Sequence, residues 1–106
     1  MSNYSIDIEK RAEMFKALGN THRLAIFQRL TTCCDPGTVC DIETAITVGE
    51  IGGDLKIAPS TISHHIKELR HAGLIATRRN GKTIECWIEP KVLEQLATFF
   101  ALESNS

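Results

Sequence analysis

The strongest constraint on this chain is a span that opens on proline, closes on glycine and runs straight into a hairpin. Pro59 suits the first position of a helix, where its missing N–H costs nothing, and Gly73 is placed to end one. Between them Ile62, Ile66 and Leu69 stand at i, i+4 and i+7 as one apolar stripe, and Ser60, Ser63, His64, Lys67 and Arg70 take the other face. Two strand-like runs follow, Leu74 to Arg79 and Lys82 to Ile88, joined by Asn80-Gly81, the pair that best fits a two-residue type I′ turn. Upstream, Thr47 and Glu50 have capping-box spacing for a short helix. Gly49, Gly52 and Gly53 make that helix poor by propensity, so tertiary packing has to hold it.

The rest of the chain reads as helix. From Ser5, an N-cap candidate, Ile8, Ala12, Phe15 and Leu18 recur at spacings of four and three until Gly19. Thr21 can cap a second helix in which Leu24, Phe27 and Leu30 form a stripe, widened by Ala25 and Ile26 and ending near Thr31. Pro90 opens a last helix with a wide apolar stripe, Val92, Leu93, Leu96, Phe99 and Phe100, after which Glu103 to Ser106 should fray. Without repeats, low-complexity segments or a dividing linker, residues 1–106 are expected to form one domain, α+β and mostly helical. This length excludes a large enzyme fold. No run approaches the roughly 18 apolar residues of a membrane span, and Met1 to Lys10 lacks the apolar core of a secretory signal. The expectation is a cytoplasmic protein without a membrane partner, whose four cysteines are reduced thiols.

The formal net charge of −1 hides a sharp division. Residues 56 to 83 carry six bases (Lys56, Lys67, Arg70, Arg78, Arg79, Lys82) against Glu68 alone, a local +5, and both flanks are acidic at −3. Such a block can meet phosphates although the whole chain is slightly acidic. The order short helix, tight turn (Leu55 to Ala58), second helix and basic hairpin has a physical logic on B-DNA, because a helix fits the major groove. Ser60, Thr61 and Ser63 are small enough to approach bases and phosphates closely, and His64, Lys67 and Arg70 offer donors further along. Arg78, Arg79 and Lys82 on the hairpin can reach sideways to the backbone or a minor groove. The architecture expected is a winged helix-turn-helix with a two-stranded β-hairpin as the wing.

These residues also carry a family resemblance. Phe15-Lys-Ala-Leu-Gly-Asn-Thr-His-Arg-Leu-Ala-Ile, then Pro59-Ser-Thr-Ile-Ser-His-His-Ile-Lys-Glu-Leu-Arg-His-Ala-Gly-Leu-Ile, then Arg79-Asn-Gly-Lys together resemble the ArsR/SmtB family of bacterial winged-helix repressors, over nearly the whole chain. The resemblance implies a homodimer built from the first and last helices (about 5–18 and 90–102), with Phe15, Leu93, Leu96, Phe99 and Phe100 as its contact residues. It implies binding to a near-palindromic double-stranded operator, and release when an inducer binds, usually a soft or transition metal ion. Each protomer would supply one recognition helix to half-sites about one helical turn apart or a multiple of it.

The connection between the second and third helices, residues 31 to 47, is longer than the roughly two to eight residues usual there and looks like an insertion relative to the family. It holds Cys33, Cys34 and Cys40 around an Asp35-Pro36-Gly37 turn. Thiolates grouped in this way suit As(III), Cd(II) or Zn(II), with Asp35, Asp41 or Glu43 as oxygen donors if a fourth ligand is needed. The same thiols are compatible with a static zinc staple, a redox switch or simple packing. Val48 to Leu55 lacks the Cys-x-Cys of many relatives, and Pro90 to Leu102 has neither the Asp nor the His that others use, so the loop thiols remain as the inducer site. Cys86 alternates with Ile84 and Ile88 and reads as a buried residue at the wing's base. His22 reads as a capping or packing group and His71 as a partner of a helix dipole. His64 and His65 face about 100° apart, so one can meet DNA while the other packs. A thiol enzyme finds no support, since no Cys-x-x-Cys pair or Cys with a matched base is visible. Two functions stay open: an inducer-released repressor, and a redox-responsive or constitutive DNA-binding regulator with a structural metal or none.

Overall fold

The computed structural model describes residues 6–31 and 45–101. Its elements run α1 (Ile6–Leu18), α2 (Thr21–Thr31), β1 (Ile46–Thr47), α3 (Val48–Leu55), α4 (Pro59–His71), β2 (Ala76–Asn80), β3 (Thr83–Trp87) and α5 (Pro90–Phe100). The expected winged helix-turn-helix is present: α3, a turn at Lys56 and Ile57, α4, then the β2–β3 hairpin. No helix among the described residues is long and apolar enough to cross a membrane.

One core serves all these elements. Ile26 of α2, Ile51 of α3, Leu69 of α4, Leu74 and Cys86 are wholly buried, with Met14, Ile62 and Ile88 nearly so. The face of α1 is turned from the expected one, and that of α2 holds except at Leu24. In α1 the core residues are Met14 and Ala17, one turn apart, whereas Ala12 is exposed and Ile8 is 43% exposed. In α2 the buried face is Ile26, Phe27 and Leu30, and Leu24 is left 52% exposed. The cap of α2 also differs: Asn20 Oδ1 accepts from the Arg23 N–H at 3.1 Å, so Asn20 and not Thr21 satisfies the free N–H of the first turn.

The N-cap half of the expected capping box of α3 forms, with the Glu50 N–H donating to Thr47 Oγ1 at 3.1 Å, and the Glu50 carboxylate returns to the Thr47 hydroxyl, Oγ1 donating to Oε1 at 3.1 Å. Gly52 explains why a poor helix former sits mid-helix. A Cβ there would lie 3.2 Å from the Ile57 carbonyl oxygen and 3.6 Å from Ile62 Cγ2, so only glycine lets α3 close this tightly on α4. The turn itself places Lys56 in the left-handed region (φ 56°, ψ 45°), with the Ile57 N–H returning to the Gly52 carbonyl at 2.9 Å. Arg29 ties α2 to α3 through Asp54 at 2.9 Å. At the far end of α4, Gly73 (φ 79°) makes the expected stop, with Leu74 N–H donating to Leu69 O and Gly73 N–H to Arg70 O, both at 3.0 Å.

The wing differs from expectation in two ways. The hairpin register pairs Asn80 with Thr83, so the turn residues are Gly81 and Lys82, one position beyond Asn80-Gly81. Only Gly81 of these has positive φ (64°), whereas a type I′ turn needs it at both central positions; a glycine-first turn of the II′ kind matches the strand twist equally well. Second, the sheet has three antiparallel strands in the order β1-β3-β2, because Ile46 and Thr47 pair with Cys86 and Glu85. The connection from α2 is therefore shorter than expected, reaching the sheet at Ile46 instead of running on to α3.

Candidate nucleic-acid interface

The solvent face of α4 carries every helix residue expected to meet DNA. Ser60, Thr61, Ser63, His64, Lys67 and Arg70 are all exposed, because Ile62, Ile66 and Leu69 point into the core and fix the helix's rotation. Hydroxyls occupy the first turn and cations the middle and end. Ser63, Ile66, Lys67 and Arg70 form one wall of a groove of about 400 Å³, and Thr77, Arg79 and Ile84 of the hairpin form the other. Helix and wing thus present donors toward one shared space.

The three basic residues of the wing do not act alike. Side chains alternate along a strand, so Thr77 and Arg79 stand on one sheet face with Ile84, and Arg78 stands on the other with Glu85. The Arg78 guanidinium donates to Glu85 Oε1 from Nη2 at 2.8 Å and from Nε at 3.2 Å. Arg78 is thereby tied to a carboxylate outside the groove, while Arg79 lines it beside Lys67 and Arg70. Lys82 stands exposed at the hairpin tip, where with Thr83 and Ser63 it borders a second hollow of about 590 Å³ that also touches Val48, Gly49 and Gly52 of α3. Thr77 was not singled out by sequence; the available cue was that it shares strand parity with Arg79.

The adjacent histidines divide as expected, with His64 exposed and His65 buried at 7% exposure. Cys86, a residue of β3, is wholly buried, and burial pushes its thiol up to about 12, which leaves it neutral and fits its reading as a packing residue. Cys33, Cys34 and Cys40, with Asp35, Asp41 and Glu43, lie outside the described residues. Among the described residues no group of three or more His, Cys, Asp or Glu is placed to hold a metal ion.

A second surface lies on α1 and α5. The Phe15 ring centroid is 5.2 Å from that of Phe99 and 5.3 Å from that of Phe100, and the two α5 rings meet edge to face at 5.3 Å. Leu93 and Leu96 are half-buried against the core, but Phe99 is 49% and Phe100 67% exposed. Three clustered aromatic rings with two this open form a patch that ordinarily marks an interaction site.

Comparison with known proteins agrees with this geometry. The helix-turn-helix domain family matches residues 18–78, more than half of the chain. The uncharacterized HTH-type transcriptional regulator YceK of Bacillus subtilis is 38% identical over 77 residues, which cover 73% of this chain and 68% of that protein. The structure of HlyU from Vibrio cholerae, named as a transcriptional activator, is 25% identical and superposes with a TM-score of 0.66, covering 92% of this chain and 98% of that one. A fragment of Mb0332 from Mycobacterium bovis, described as a homodimeric winged helix-turn-helix DNA-binding domain of a possible ArsR-family regulator, shares the fold with a TM-score of 0.66 at 23% identity, over 93% and 86% of the two chains. The resemblance read from sequence thus holds in domain family and in fold: the chain belongs to the helix-turn-helix family of transcriptional regulators and has the winged-helix fold of the ArsR type.

Proposed function

We propose that the chain acts as a homodimeric repressor that binds a near-palindromic operator through α4 and the wing and leaves it when a thiophilic inducer binds. The observation that carries the reading is the shared groove. Lys67 and Arg70 of the helix and Arg79 of the wing stand across one space, and the exposed hydroxyls of Ser60, Thr61 and Ser63 lead the helix toward bases. The exposed rings of Phe99 and Phe100 beside Phe15 support pairing of protomers through α1 and α5, and the Mb0332 domain, described as homodimeric, supports a dimer. A two-fold axis there would set two α4 helices at a fixed separation, and half-site spacing would follow from it.

The inducer part rests on sequence and thiolate chemistry. Cys33, Cys34 and Cys40 are three soft donors within eight positions, suited to arsenite, Cd(II) or Zn(II). Ligation would need only a few kcal/mol of difference between DNA-bound and free forms to release the operator. HlyU, by name an activator, supports a second sense of regulation, which a reporter gene under the operator separates from repression.

The test is selection of bound sequences from a random duplex pool, followed by release assays with each ion. An inverted repeat should emerge, and a single unrepeated site would overturn the homodimer reading. Ion-dependent release should disappear in Cys33→Ser, Cys34→Ser and Cys40→Ser, with the thiolate-to-metal absorption band, and persist in Cys86→Ser. An inverted repeat without any thiolate band would overturn the ion reading in favour of a redox-responsive or constitutive regulator.

A further inference from the structure

We propose that the seam between α2 and α4 around His65 is a proton-sensitive latch, which holds the recognition helix at neutral pH and loosens in mild acid. The geometry is a run of nitrogen-bearing side chains, His22, Arg23, His64 and His65, brought together where α2 meets α4. His65 faces inward from α4, with 7% of its surface exposed. The His22 ring from α2 lies 5.5 Å from it and the His64 ring from its own helix 5.6 Å, centroid to centroid. Two nitrogens in the seam, His65 Nδ1 and Arg23 Nε, are shielded from water and have no hydrogen-bond partner among the described residues. Buried polar atoms in this state are few in folded proteins and call for an explanation.

The charged and titratable groups acting on His65 are Arg23 and His22 from α2, and His64 and Glu68 from α4. Burial disfavours its charged form first, and Arg23, His22 and His64 add to that effect; Glu68 alone opposes it. The imidazole is therefore held below its ordinary value of 6.5. The unfolded chain takes the proton near 6.5, whereas the folded chain refuses it until lower pH, so the unfolded state holds more protons between the two. Stability from this group is complete above about 6.5, is lost as pH falls through that window, and levels off once the folded form is protonated as well. Within the window the unfolding equilibrium constant rises by up to about tenfold for each pH unit.

The position gives the proton a consequence. His65 shares α4 with Ser60, Ser63, Lys67 and Arg70, and it secures that helix against the first turn of α2. A charge forced into the seam acts on the helix's anchoring, not on its solvent face. The link to DNA rests on the reading of α4 given above, but the test is made on the full chain without DNA, so the two fail separately.

The experiment follows the imidazole resonances of the full chain by NMR from pH 8 to pH 4, with urea unfolding at pH 7.5, 6.5 and 5.5. His65 should titrate below 6.5, and His22→Gln, by removing one opposing neighbour, should move it upward. As pH falls, the unfolding constant of wild type should rise by up to about tenfold more per pH unit than that of His65→Phe, whose ring fills the seam without taking a proton. A His65 that titrates at its ordinary value, or a His65→Phe variant as acid-sensitive as wild type, would overturn the latch. Should His65→Phe not fold, the wild-type titration decides.

Discussion

Helices α4 and α5 begin alike and end in opposite conditions. Each opens on a proline at its first turn without a side-chain cap, and each carries an apolar stripe at helical spacing. In α4 the stripe is consumed within the protomer, where Ile62, Ile66 and Leu69 are buried and the remaining surface is hydroxyl and cationic. In α5 only Val92 is fully buried, and the stripe runs on into Phe99 and Phe100, which the chain leaves open. Periodicity shows that a helix has something to bury; burial then shows whether the partner lies in the same chain. The polar outer face of α4 suits a polyanion, and the apolar end of α5 suits another protein surface.

The comparison breaks most visibly at its apolar residues. Leu69→Ala should cost the protomer about 2–5 kcal/mol in urea unfolding, since the side chain is wholly buried and neighbours close only partly over the space. Phe99→Asp should instead leave a folded protomer that sediments as a monomer. If it destabilises the protomer as much as Leu69→Ala does, the open end of α5 belongs to the core and the contrast fails. A smaller effect separates the two arginines of the wing. Arg79→Ala should weaken DNA binding by about 1–3 kcal/mol, or lower the salt slope by about 1 if its contact is to phosphate. Arg78→Ala should change either quantity less, because Glu85 already holds that guanidinium at 2.8 Å. The smallest contrast concerns helix starts. Thr47→Ala should cost about 1 kcal/mol of stability by removing the 3.1 Å cap of α3, whereas substitution of Ala58 or Glu89, which make no side-chain cap, should cost little by that route.

Much of this was legible in the sequence because the informative residues act locally. Pro59 and Gly73 bracket α4, Thr47 and Glu50 start α3, and both do so through contacts within a few positions. Departures arise where distant partners decide. Leu24 and Phe27 share a stripe by spacing, but which of them is covered depends on where α2 lies against α3 and α4, and Phe27 is the one covered. Asn80-Gly81 is the better turn pair by local preference, yet pairing of Thr77 with Cys86, a residue fixed in the core, sets the register that puts Gly81-Lys82 at the tip. Strand β1 is two residues long, too short for alternation to show, and forms because β3 offers it an edge. At the site, composition showed a basic hairpin. Only strand parity separates Arg79, which faces the groove, from Arg78, which does not.

That short strand also bears on how such a chain can diversify. Ile46 is held opposite Cys86, and one residue later Thr47 caps α3, so the reading head is locked in place from this point onward. On the other side α2 is anchored through Leu30 and through Arg29 to Asp54. A connection between two fixed moorings can be lengthened at a cost of only about 0.6 kcal/mol per doubling. Segments of differing length can therefore be carried between the same two anchors at little cost to the fold.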